Sequence, residues 1–230
     1  MKPINSYFKT TLFALLIVIL SLDLSGQDNQ GNPLPHFLFP SFKEGLVIMK
    51  DGKNFSALLN YHMVDEKIIT ELNGTYRYSK DPQLMDTIYL ENRIFVPVEN
   101  MFYELLSSGP ATFFLQNKSN FTPKGSDIGY GAKPKSVGRT QYSRFELSDL
   151  RYFGEVAYMD LPPDVDITPA SVFWVSKNGK LEKFSTEKQF LKLFPGYEPE
   201  LKEFIKKENI SIKSREDVIM LGNYCNKIIK

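Results

Sequence analysis

The feature that most constrains the fold of this chain is a series of short β-type segments, each closed by a turn sequence. The clearest lies at 45–61, where LVIMK and KNFSALLNY flank Asp51-Gly52. Asp-Gly tolerates the positive φ angles of a tight primed turn, so this segment predicts a β-hairpin. The alternation after the turn predicts one buried strand face, of Phe55, Ala57, Leu59 and Tyr61, and one wetter face, of Asn54, Ser56 and Asn60.

The same pattern continues along the chain. Further strands are predicted at 67–72, 75–79, 87–90, 93–98, 101–106 and 111–116. A second hairpin is predicted at 171–184, with Asn178-Gly179 at its turn. Short strands with turn residues and no helical period between them predict an antiparallel β-meander. A curved sheet and an open barrel fit this pattern equally well.

The last 46 residues, 185–230, have helical patterns instead. Capping boxes at 186–189 and 214–217 open two helices, and Pro199 suits the start of another between them. Pro195-Gly196 ends the first helix. One apolar stripe recurs at helical spacing: Val218, Leu221, Cys225 and Ile228. We therefore predict an α+β fold in which a small three-helix tail packs on the sheet.

The N-terminus has the order of a secretory signal peptide. Lys2 and Lys9 precede an apolar run at 12–20, and the small residues Ser25-Gly26 follow. A retained membrane anchor is the alternative, but Asp23 ends the apolar stretch before the roughly 20 residues that a span needs. We predict a signal peptide at 1–26, cleaved after Gly26, and an exported chain that does not span the membrane after cleavage.

The expected organisation of the exported chain follows from these patterns. Removing 26 of the 230 residues leaves 204, enough for one large domain or a domain with a small appendage. Residues 27–36 are polar and contain proline and glycine, which predicts a flexible lead-in. An antiparallel β domain is expected at 37–184, with a long basic loop at 117–144, followed by the helical tail.

Charge argues against nucleic acid as a partner. Lys2, Lys9 and Asp23 leave with the signal peptide, so 26 basic and 26 acidic residues remain and the net charge is zero. The loop is the local exception, because residues 121–144 have a net charge of +4. We identify it as a candidate contact surface for an acidic partner, through Lys124, Tyr130, Lys133, Lys135, Arg139, Tyr142 and Arg144. The alternative is neutralisation by residues 145–170, whose net charge is −5.

The catalytic inventory is poor. His62 is followed by Asp65 and Glu66, and a His-carboxylate pair can orient a general base. No serine or cysteine stands in a nucleophile-elbow sequence, so we interpret His62 as a solvated strand end and His36 as part of the lead-in. No catalytic residue is predicted. A hydrolase that acts through a pair of carboxylates stays as the alternative, since such pairs are defined by spatial separation.

Metal and cofactor motifs are also missing from the sequence. Cys225 is the single cysteine, which excludes an intramolecular disulfide and a four-ligand zinc site, and we interpret it as a core residue. Asp160, Asp164 and Asp166 offer oxygen ligands for calcium, but their spacing differs from that of an EF-hand loop. The alternative is a solvated loop stiffened by prolines. We predict no metal and no cofactor.

Several segments together resemble small exported proteins of Bacteroidota. These are FKEGLVIMKDGKNFSALLNY at 42–61, Gly-Tyr-Gly at 129–131, FLKLFP at 190–195, LKEFIKK at 201–207 and the signal-peptide end SGQ. The resemblance covers most of the exported chain and consists of structural motifs. It implies a periplasmic or cell-surface location in a Gram-negative envelope, and it transfers no catalytic residue.

One short motif bears on modification. Asp86-Thr87-Ile88 resembles the O-glycosylation signal of that phylum, which makes Thr87 a candidate attachment site and favours its exposure. Taken together, a well-specified scaffold with few reactive groups predicts a non-catalytic interaction or structural module. Its expected partner is an envelope protein or a glycan.

Overall fold

The computed structural model describes residues 36–72, 75–79, 81–123 and 165–229. The described strands are β1 Lys43–Met49, β2 Asn54–His62, β3 Lys67–Leu72, β4 Thr75–Tyr78, β5 Met85–Leu90, β6 Arg93–Val98, β7 Met101–Ser107, β8 Ala111–Gln116, β9 Ser119–Pro123, β10 Val165–Pro169, β11 Val172–Lys177 and β12 Lys180–Phe184. In the same ranges the helices are α1 Glu187–Lys192, α2 Glu198–Lys207 and α3 Arg215–Ile228, and one 3-10 turn covers Pro82–Leu84. The predicted α+β fold is confirmed.

Ten strands form one open antiparallel sheet in the order β12-β11-β8-β7-β6-β5-β1-β2-β3-β4. Its neighbours follow the chain with two exceptions: β5 pairs with β1, and β11 pairs with β8. The sheet therefore contains the meanders β1–β4 and β5–β8, joined through β1 and β5, and the hairpin β11–β12 is added beside β8. Strands β9 and β10 form a separate two-stranded ribbon inserted between β8 and β11.

The two predicted hairpins are present, with different turns. Asn178 (φ 53°) and Gly179 (φ 75°) both have positive φ, as a type I′ turn requires, and Lys177 pairs with Lys180. At the first hairpin only Gly52 has a positive φ, of 85°. Its N–H donates to Met49 O (3.0 Å), while Met49 N–H donates to Lys53 O (2.8 Å). The predicted primed turn is wrong at this hairpin, where a longer loop lets glycine alone absorb the strain.

One row of directly paired residues crosses the core face of the sheet. It runs Val47, Ile88, Phe95, Glu104, Leu115, Phe173 and Phe184. Glu104 is the single charged member of the row. On one side lies a cluster of β1–β3 and β5–β7 that includes Val47, Ile88 and Phe95. On the other side, Leu115, Phe173 and Phe184 belong to a second cluster shared with the helices.

The helical tail forms as the sequence predicts. Thr186 and Ser214 are N-caps whose side chains accept from the N–H groups of Gln189 and Asp217. In a capping box the side chain at the third helical position accepts from the N–H of the N-cap residue. Here the donor lies before the N-cap: Gln189 Oε1 accepts from Ser185 N–H (2.9 Å), and Asp217 Oδ2 accepts from Ser211 N–H (2.8 Å). Val218, Leu221 and Cys225 are buried against the sheet, which confirms Cys225 as a core residue.

Some predictions fall partly or wholly outside the described residues. The signal peptide at 1–26 and residues 27–35 of the lead-in lie outside them. His36, the last residue assigned to the lead-in, is buried. The loop expected at 117–144 is described only to Pro123, and there Asn117 is buried and 119–123 form β9.

Candidate functional site

A cleft of about 480 Å³ opens where the two core clusters meet. Strands β6, β8, β11 and β12 and the segment before α3 contribute its walls. Its charged and amide side chains are Arg93, Asn117, Lys213 and Arg215. Its apolar side chains include Leu38, Leu115, Phe173, Phe184 and Ile212. The cleft therefore combines a cationic end with an apolar wall, the usual composition of a small-molecule site.

The cationic end is organised by Glu104, whose side chain has no exposed surface. Arg93 Nη1 donates to its Oε2 (3.0 Å), and Arg215 Nε donates to its Oε1 (2.5 Å). Asn117 Nδ2 also donates to Oε2 (3.0 Å). A buried carboxylate is costly unless it is paired and hydrogen-bonded, so Glu104 holds both guanidinium groups at the cleft.

The ion pairs leave positive charge in excess. One carboxylate is shared by two guanidinium groups, so Arg93, Glu104 and Arg215 together have a net charge of +1. Lys213 lines the same cleft and is exposed. Arg215 Nη1 also binds Glu216 (3.2 Å), whose side chain is 74% exposed and therefore well screened by solvent. The cleft is suited to a negatively charged group.

Both arginines retain N–H donors that are bound to no acceptor among the described residues. A guanidinium has five N–H donors in a planar fork. Among the described residues, no acceptor is bound to Nη2 of Arg93 or of Arg215. Their side chains are 24% and 19% exposed, which is enough for contact with a ligand. The sheet and α3 therefore present two partly buried forks whose orientation is already fixed.

The apolar wall is continuous with the core. The rings of Phe173 and Phe184 are stacked with centroids 5.9 Å apart. Leu115 is paired with both Glu104 and Phe173, so the wall begins one strand away from the ion-pair centre. Ile212, from the segment before α3, adds a buried side chain on the helical side. These four side chains are at most 8% exposed, and the partly exposed apolar residues of the cleft are Leu38 and Val172.

A second polar cluster is buried at the end of β2. His62 Nδ1 lies 3.2 Å from Asp65 Oδ2, and Tyr78 Oη donates to the same oxygen (2.5 Å). The His62 ring contacts those of His36 and Phe37, with centroids 4.9 and 5.2 Å apart. His62 is only 4% exposed, so its interpretation as a solvated strand end is wrong.

This cluster fixes the segment at 36–39 against the sheet. Phe37 forms a bridge with His62, and Met63 N–H donates to His36 O (2.8 Å). In the part of the chain that the structure describes, no serine or cysteine side chain is hydrogen-bonded to His62. Within the described ranges the cluster therefore has no triad nucleophile, and its contacts hold the segment at 36–39 on the sheet.

The residues predicted as a site are not those that form the cleft. Lys124, Tyr130, Lys133, Lys135, Arg139, Tyr142 and Arg144 all lie outside the described residues. Thr87 is half-buried on β5, and its Oγ1 donates to Asp86 Oδ2 (2.9 Å). Asp166 is exposed on β10, while Asp160 and Asp164 lie outside the described ranges.

Sequence reasoning missed Arg93, Glu104 and Arg215. One signal was present: Glu104 stands between aromatic and aliphatic residues in MFYELLS, so a charge occurs within an otherwise apolar strand. A buried strand charge requires a partner. The partners are 11 and 111 residues away, so no local pattern identifies them.

Two buried tyrosines, Tyr61 and Tyr103, have raised pKa values. Tyr61 Oη donates to Phe102 O (2.8 Å), and burial raises the pKa of Tyr61 well above its ordinary value. Burial, with the nearby Glu66 and Glu99, raises the pKa of Tyr103 to about 12. Both phenols therefore stay protonated at neutral pH, and Tyr61 acts as a hydrogen-bond donor in the core.

Comparisons of the chain with protein-family models, curated proteins and solved structures give no match. In the described ranges, no three His, Cys, Asp or Glu side chains are grouped as a metal site would require. No helix within those ranges combines the length and the apolar character needed to cross a membrane.

Proposed function

We propose that this protein is a non-catalytic binding module that recognises an anionic group in the cleft between Arg93 and Arg215. The observation that carries the proposal is the pairing of both guanidinium groups with one buried carboxylate. That pairing fixes two donor forks and leaves a net positive charge beside an apolar wall.

The alternative hydrolase has less support. A carboxylate-pair mechanism needs one carboxyl group that donates a proton and another that attacks or activates water. Both oxygens of Glu104 accept hydrogen bonds from arginine or asparagine, so neither is directed at a substrate. The Asp65 carboxylate binds Tyr78 and lies against His62 in the second cluster. These carboxylates organise the fold.

The proposal includes a location. The signal-peptide pattern at 1–26 and the resemblance to exported proteins of Bacteroidota support a module in the periplasm or on the surface of a Gram-negative cell. The expected partner is an anionic component of that envelope, either a protein or a glycan. Intact-mass measurement on protein from an osmotic-shock fraction tests the location, with a chain that begins at Gln27 as the expected product.

Thermal melting tests the anion site. Because a ligand that binds only the folded state stabilises it, sodium acetate should raise Tm saturably relative to sodium chloride at equal ionic strength. Lys213→Glu should weaken this response, because the exposed Lys213 lines the cleft. The exposed Lys206, which lies on α2 and does not line the cleft, provides the matched variant Lys206→Glu, which should retain the response. Equal responses in all three proteins would refute the anion site.

A further inference from the structure

We infer that the ligand of the cleft is a small amphiphilic monocarboxylate, with its carboxylate on Arg93 and Arg215 and an aliphatic chain along the partly exposed side chains of Leu38 and Val172. The inference rests on the proposed anion site and adds the chemical class of the ligand. Charge, donor geometry and the shape of the cleft each bear on it.

Charge favours one negative group over two. The centre formed by Arg93, Glu104 and Arg215 has a net charge of +1, and Glu104 has no exposed surface. The exposed charges beside it, of Lys213 and Glu216, are opposite in sign and screened by solvent. A monoanion neutralises this centre. A phosphate dianion would place a second negative charge close to a carboxylate that solvent does not screen, at an energetic cost.

Donor geometry favours a carboxylate among monoanions. The described hydrogen bonds occupy Nη1 of Arg93 and both Nε and Nη1 of Arg215. The remaining Nη2 groups come from two different elements, β6 and α3. Two oxygens on one carbon can accept from two guanidinium groups at once, which is the arrangement already seen at Glu104.

The apolar side chains of the cleft favour a ligand whose carboxylate is attached to an aliphatic chain. Leu38 and Val172 line the cleft and are partly exposed, and the buried side chains of Leu115, Phe173, Phe184 and Ile212 lie behind them in the core. The volume of the cleft, about 480 Å³, falls in the range of small-molecule sites. A second polar ligand group would lose its hydrogen bonds with water against these side chains. An aliphatic chain gains affinity there, by about fourfold for each buried CH₂.

Isothermal titration calorimetry of the full exported chain with octanoate, acetate and 1-octanol tests the inference. We expect octanoate to bind at least tenfold more tightly than acetate, because of its chain, and more tightly than 1-octanol, because of its carboxylate. Ser171 is exposed, lines the cleft and takes no part in the described ion pairs, so Ser171→Phe should fill the cleft and weaken octanoate binding at least tenfold. Arg77→Gln removes an exposed cation from the edge strand β4 and should leave octanoate binding unchanged.

The outcomes separate the two proposals. If acetate binds as tightly as octanoate, the inference of an amphiphilic ligand is overturned and the anion site stays intact. Equal binding of octanoate and 1-octanol would overturn the carboxylate head. Absence of binding by every carboxylate would overturn both proposals, provided that circular dichroism shows a folded protein. Unchanged octanoate binding by folded Ser171→Phe would overturn the placement in this cleft.

Discussion

Arg215, the first residue of α3, donates its Nε–H to Oε1 of Glu104 on β7 at 2.5 Å. The bond joins residues 111 positions apart and ties the helical tail to the middle of the sheet. Arg93, on β6, binds the other oxygen of the same carboxylate. The bonds that hold the tail in place therefore also form the cationic end of the cleft.

Arg215→Met should destabilise the protein by about 3 kcal/mol, because it removes a partner from a fully buried carboxylate. Urea denaturation measures the change. Lys227→Met, at an exposed position of α3, should be close to neutral. In the double variant Glu104→Gln/Arg215→Met, the loss should be smaller than the sum of the single losses. Additive losses would mean that the pair has no energetic coupling.

Gly222→Ala should destabilise the protein by about 1–3 kcal/mol, although alanine is the better helix former. An added Cβ would lie 2.9 Å from Phe113 Cδ2 and 3.0 Å from Ser107 Cβ, so α3 would have to move away from β7 and β8. Chemical denaturation, with Lys206→Ala on the exposed side of α2 as the control, tests this. A gain in stability for Gly222→Ala would show that the helix does not approach the sheet so closely.

Asn60→Ala should cost about 2 kcal/mol, because Asn60 satisfies both backbone groups of Phe39. Its Oδ1 accepts from Phe39 N–H (3.2 Å) and its Nδ2 donates to Phe39 O (2.9 Å). Amide hydrogen exchange should also become faster at 37–39 and stay unchanged in α3. Asn54→Ala, exposed on the same strand, should change neither property. Equal effects of the two variants would argue against this anchor.

The Cys225 thiol should resist alkylation in the folded state. Burial raises its pKa to about 12, above the usual value of about 8.5 for an exposed thiol. Between the two pKa values the thiol of the unfolded chain is deprotonated while the thiol of the folded protein keeps its proton. The contribution of Cys225 to the free energy of unfolding therefore falls as pH rises from about 9 to 12. At pH 9, iodoacetamide should label the protein rapidly in urea and slowly in buffer, as followed by mass spectrometry. Equal rates would contradict the burial of Cys225.

Local signals explain how much of the fold is predictable. Asn178-Gly179 specifies its turn through two positive φ angles, and the N-caps Thr186 and Ser214 specify two helix starts. The order of the strands in the sheet, by contrast, is not specified by local signals. Pairing of β5 with β1 places β2, β3 and β4 on the far side of β1, and no residue near Thr87 indicates which strand lies beside it.

Burial is the property that local patterns misjudge at β2. Asn60 and His62 lie on the face that alternation predicts to be wet, yet the segment at 36–39 covers them. At the other end of the strand, Phe55 lies on the predicted core face and is 44% exposed. Alternation identifies which side chains share a face, but the distant segment that packs there decides whether that face is dry.

The cleft could not be predicted because its groups meet only in the folded chain. Glu104 signals an unusual strand, but the sequence does not indicate that Arg93 and Arg215 are its partners. The basic residues at 124–144 gave a stronger local signal for an acidic partner, and that prediction stays open. A charge in an apolar strand is the more informative clue, since its burial requires counter-charges from elsewhere.

The most direct test of the central claim is an NMR titration of the arginine Nε–H resonances with octanoate, assigned through Arg93→Lys and Arg215→Lys. The cleft predicts that the Arg93 and Arg215 resonances shift together and saturate at one equivalent of bound ligand, while the Arg77 resonance stays in place. Contradiction would come from unshifted Arg93 and Arg215 resonances at octanoate concentrations that saturate the calorimetric signal.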